Sequence, residues 1–132
     1  MLVRMQLSRI VIPESGVGHP CMVFLREVEG DRQVPIVIGI AEAWAIQRRT
    51  KGVHFLRPMT HDLIVGIMQG LEVDLEKIVI SELREGTFYA KLVIRQDGRL
   101  LEIDSRPSDA LAIGAGSDVP LFVDESVLKE VS

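Results

Sequence analysis

Two short segments of this chain place an arginine, a proline, a hydroxyl residue and an aspartate in nearly the same order: RPMTHDL from Arg57 to Leu63, and RPSDAL from Arg106 to Leu111. The residue types suit work on a phosphate. Arginine can hold a phosphate with two parallel hydrogen bonds, and the free N–H groups at a helix start attract anions. Aspartates nearby can hold a divalent cation, and a histidine can move a proton or ligate that cation. Should the two segments converge, one pocket would collect Arg57, His61, Asp62, Arg106, Ser108 and Asp109. That set suits phosphodiester cleavage, which needs stabilised charge and an activated water. His61, Asp62 and Asp109 are then the catalytic candidates. Arg57, Thr60, Arg106 and Ser108 are the phosphate-binding ones. Asp62, Asp109 and Glu42 are candidate ligands for Mg or Mn.

A structural reading uses the same residues. Proline fits the first position of a helix, where its missing N–H would be unpaired anyway. Thr60 is a good N-cap, and first-turn acids suit the positive pole of the helix. An arginine just outside one helix could pair with the aspartate of the other. Glu42 has the same two readings, as a first-turn acid or as a third carboxylate of the pocket. Arg48, Arg49, Lys51 and Arg57 form the one basic cluster, either a solvated helix end or a track for backbone phosphates.

These residues need a scaffold, and the sequence punctuates one clearly. Leu2 to Ile12 reads as a strand whose alternation changes phase near Ser8 and Arg9, which predicts a bulge. PESGVGHP reads as a loop. Cys21 to Val28 and Val34 to Ile38 read as strands, with Pro35 placing the second at an edge. Gly39 to Thr50 reads as a helix. So does Thr60 to Leu71, with Leu63, Ile64, Ile67, Met68 and Leu71 as its apolar face. Lys77 to Arg84, Thr87 to Arg95 and Arg99 to Asp104 form a meander closed by Glu-Gly and Asp-Gly turns. Its central strand alternates, which predicts one covered and one mostly wet face. Pro107 to about Gly114 is a short helix, Val119 to Val123 a strand, and Asp124 to Val131 a closing helix capped by Asp124. The class is α+β: a mainly antiparallel sheet with three to four helices in a single domain, residues 1–132.

The chain has 132 residues, 47% of them hydrophobic, and a mean hydropathy of +0.24. A domain of this size leaves some apolar surface outside or under another subunit, so a homo-oligomer is expected. The net charge of −4 argues against tight, purely electrostatic nucleic-acid binding, although a local patch or bound cations could offset it. The single cysteine, Cys21, excludes an intramolecular disulfide and reads as a small buried hydrophobe. Trp44 reads as a core or interface residue rather than a base-stacking platform. His19 and His54 sit in loops without metal-ligand spacing to His61. No segment is apolar enough to span a bilayer or to serve as a signal-peptide core, so a soluble cytoplasmic protein is expected.

Three stretches together resemble the bifunctional nuclease family. VPIVIGIAEAWAI carries Pro35, Ile36, Ile38, Gly39, Glu42, Ala43, Ala45 and Ile46 of that pattern. RPMTHDL carries Arg57 to Leu63. GTFYAKLVI followed by IDSRPSDAL supplies the rest, in the family's order and across nearly the whole chain. After Leu111 the chain runs AIGAGSDVP where relatives continue a longer Ala-Leu-rich helix. The resemblance implies an α+β oligomer and an activity on both DNA and RNA. It supplies no catalytic set, so the residues above are chemical candidates on the family's motif positions. The competing reading is a non-catalytic oligomeric module for a small anionic ligand or a protein partner, its Arg-Pro…Asp segments acting as crossed salt bridges.

Overall fold

The computed structural model describes residues 1–14 and 20–131. His19 and most of the PESGVGHP segment lie outside the described residues. The strands are β1 (Leu2–Val11), β2 (Cys21–Glu27), β3 (Gln33–Ile38), β4 (Asp74–Arg84), β5 (Thr87–Gln96), β6 (Arg99–Ser105) and β7 (Leu121–Asp124). The helices are α1 (Ile40–Thr50), α2 (Thr60–Gly70), α3 (Pro107–Gly114) and α4 (Glu125–Val131).

The strands form one sheet in the order β3-β2-β1-β7-β4-β5-β6. Two antiparallel meanders, β1-β2-β3 and β4-β5-β6, are joined through β7, which runs antiparallel to β1 and parallel to β4. β3 is an edge strand, as Pro35 requires. The expected bulge is a register shift between Leu7 and Arg9. Both two-residue turns use left-handed backbone at Glu85, Gly86, Asp97 and Gly98, the conformation that matches strand twist in tight hairpins.

Alternation places Ile78, Ile80, Ala90 and Leu92 on the covered face, in one core with Val23, Leu25, Ile46, Leu111, Val123 and Leu128. The opposite face carries paired charges, Lys91 with Glu102 and Arg95 with Glu76, although Val79 and Val93 are also buried there. α3 is the central helix: every residue from Pro107 to Ile113 except Asp109 is buried. Its glycine-rich end is a packing device. A Cβ on Gly114 would collide with Ile78, and one on Gly116 with the Arg49 carbonyl. Helix α3 therefore stops where β4 and the end of α1 press against it.

Two expectations are corrected. Thr60 is the first residue of α2, not its cap; Met59 holds the cap position. The apolar face of α2 is also narrower than its spacing implied. Ile64, Val65 and Met68 pack on the core, whereas Leu63, Ile67 and Leu71 are exposed at 53%, 53% and 66%. Among the described residues no helix is long and apolar enough to cross a membrane.

Candidate functional site

The first turns of α1, α2 and α3 supply Glu42, His61 and Asp109, and Arg106 joins two of them. The Nε2 atom of His61 lies 2.9 Å from Oδ1 of Asp109. Arg106, the residue before α3, donates to the same carboxylate at 2.9 and 3.2 Å. Its other arm lies 3.5 Å from Oε1 of Glu42. Glu42 folds back over the start of its helix, and a Cβ on Gly39 would sit 2.6 Å from its Oε2. Glycine at 39 is thus the condition for that carboxylate's position.

Burial pushes the Asp109 carboxyl up, but hydrogen bonds from Arg106 and His61 outweigh it and hold the pKa below its usual value. The Asp109 hydrogen bonds in turn raise the pKa of Arg106. The side chain of Arg106 remains 64% exposed, open to a further anion.

All four side chains line one cavity of about 1270 Å³. Its other walls are mostly apolar or aromatic, including Trp44, Phe55, Met59, Ile64 and Ile103. Thr60 also lines it. Trp44 is 53% exposed, which removes the core half of the core-or-interface expectation.

The remaining candidates go elsewhere. Asp62 turns away from His61 and is bound by three donors. The Met59 N–H reaches it at 2.9 Å, and Arg48 grips both its oxygens at 3.0 Å. Arg49 makes a third, short contact. The Met59 N–H contributes most to lowering its pKa to about 2, with both arginines adding and burial opposing. Arg49 also donates to the carbonyls of Ala112 and Ile113 at the end of α3, at 2.6 and 3.3 Å. One residue thus ties together α1, α2 and α3. Arg57 is exposed and has no side-chain partner among the described residues. Ser108 is buried and does not line the cavity.

The crossed pairing of each arginine with the other segment's aspartate does not form. Arg106 pairs with its own Asp109, and Asp62 takes Arg48 and Arg49. Those two arginines are 12% and 13% exposed, so this half of the basic cluster is not solvated, whereas Lys51 and Arg57 are exposed. Their role was not read from the sequence, because the fourteen-residue separation of Arg48 and Asp62 matches no local spacing rule. The first-turn position of Asp62 was the readable half of the arrangement. Among the described residues no group of three His, Cys, Asp or Glu side chains could hold a metal ion. Glu42, Asp62 and Asp109 do not form a ligand set in this arrangement, because arginines engage all three.

Residues 23–132 match the bifunctional nuclease domain. Uncharacterized proteins from two strains of Mycobacterium tuberculosis are each 43% identical to the chain over 109 residues. The matched stretch is 83% of this chain and 65% of each relative, so the chain spans just under two thirds of the curated relatives it matches.

Proposed function

The chain belongs to the bifunctional nuclease domain family, and from that premise we propose that it cleaves phosphodiester bonds of DNA and RNA with little sequence selectivity. The observation that carries this reading is the His61–Asp109 hydrogen bond of 2.9 Å beside the exposed Arg106 on the cavity wall. With Nε2–H donating to Asp109, the tautomer is fixed and Nδ1 is left able to accept a proton. Such a dyad can activate a water, or a ribose hydroxyl, for attack on phosphorus. Arg106 stabilises the negative charge that grows on the phosphoryl oxygens during attack. Asp62 acts at a distance, by fixing the start of α2 and with it His61. Glu42 holds the other side of the Arg106 guanidinium.

The test uses purified chain on DNA and RNA oligonucleotides, with Mg²⁺, with Mn²⁺ and with chelator, alongside His61→Ala. Loss of a positioned general base is expected to slow cleavage by about 10²–10⁴-fold. Cleavage that persists at full rate in the folded variant removes His61 from the chemistry.

A second reading is favoured by the outward side of α2, where Leu63, Ile67 and Leu71 lie exposed. In it the domain is a non-catalytic module that self-associates through this helix and binds an anionic ligand at Arg106. Sedimentation of the purified chain, with and without Ile67→Glu, tests the association.

A further inference from the structure

We propose that the cavity takes an unpaired nucleotide, with its base against the Trp44 and Phe55 rings and its phosphate at Arg106. This rests on the nucleic-acid reading above and specifies the substrate class of the same site. The chain has six aromatic residues. Phe24, Phe88, Tyr89 and Phe122 sit half-buried on strands. The two exposed ones, Trp44 at 53% and Phe55 at 57%, both line the cavity that holds His61, Asp109 and Arg106. Exposed aromatic surface is therefore concentrated beside the charged cluster. Phe55 is steadied by the Arg48 guanidinium, 5.4 Å from its ring centroid, and that guanidinium is itself fixed on Asp62.

Rings beside a phosphate-binding guanidinium match the two parts of a nucleotide. Every base has a π-face, so stacking of this kind is tolerant of sequence. A base inside a duplex has both faces covered by its neighbours and must leave the stack to meet a protein ring. The site therefore selects unpaired strands, whether DNA or RNA.

Trp44 is the only tryptophan, so its emission reports directly on the cavity. The titration uses the full chain carrying His61→Ala, which keeps the strand intact, with oligothymidylate, oligoadenylate RNA and a blunt duplex of equal length at low salt. Single strands are expected to quench Trp44 emission, and the duplex to bind at least about tenfold more weakly. Phe55→Ala, and Trp44→Leu followed by anisotropy of a labelled strand, are expected to weaken binding by about 5–100-fold. Equal binding of duplex and single strand, or unchanged affinity in both ring variants, overturns the proposal. So does emission that responds to protein concentration and not to the strand, which would make the rings a protein interface. Single strands that bind as expected but are not cut by the unsubstituted chain support the proposal and overturn the cleavage reading. Cutting that is indifferent to both rings overturns the proposal alone.

Discussion

The two Arg-Pro segments start alike and end in opposite roles. In the first, Asp62 is saturated by Arg48, Arg49 and the Met59 N–H and is 18% exposed, while its own Arg57 points into solvent. In the second, Asp109 is 32% exposed, keeps its own Arg106, and shares itself with His61 from the first segment. One carboxylate locks α2 to the end of α1 and the other faces a cavity. A helix-start acid is therefore assigned its role by its distant neighbours. Asp62 lies where arginines from the end of α1 arrive, and Asp109 lies where the start of α1 leaves room.

The sharpest break of this contrast is Asp62→Ala. It leaves Arg48 and Arg49 mostly covered and without their anion, and is expected to lower stability by about 3–5 kcal/mol in urea unfolding. A variant as stable as the parent would erase the structural role given to Asp62. Acid comes next. The Asp62 pKa is held at about 2, below its ordinary value, so its contribution is complete above about pH 5 and disappears as pH falls toward 2. The lost stability is about 2 kcal/mol, and Asp62→Asn should remove that part of the acid dependence. Asp109→Asn should cost less, about 0–1 kcal/mol, because its partner Arg106 is largely in water. Cleavage should nevertheless fall with it. A stability loss matching that of Asp62→Ala would make both segments structural. The smallest effect belongs to Arg57→Ala, expected within about 0.5 kcal/mol of the parent by thermal melting. A larger change, or a loss of cleavage, would return Arg57 to the site.

The readable features were those with a local cause. Pro35 marked an edge because it cannot donate to a ladder. Glu85-Gly86 and Asp97-Gly98 marked hairpins because only certain residues accept left-handed backbone. Asp124 capped α4 through the Ser126 N–H at 3.0 Å. His61, Asp109, Arg106 and Glu42 were named as candidates, and the structure places them around one cavity. Thr60 lines the same cavity. Arg57 was grouped with them for its phosphate-binding chemistry, but residue type does not reveal where the chain before α2 leads.

Local spacing was enough for the order of strands and helices, for most of their approximate bounds and for which side chains could chemically handle a phosphate, since these follow from backbone preferences and side-chain chemistry within a few positions. That two meanders merge through β7, that α2 leaves Leu63, Ile67 and Leu71 exposed, and that Asp62 and Asp109 part ways was settled only by long-range packing. Those outcomes depend on which charges and surfaces meet across long stretches of chain, and the free energy of such meetings is set by burial and geometry that no local spacing encodes.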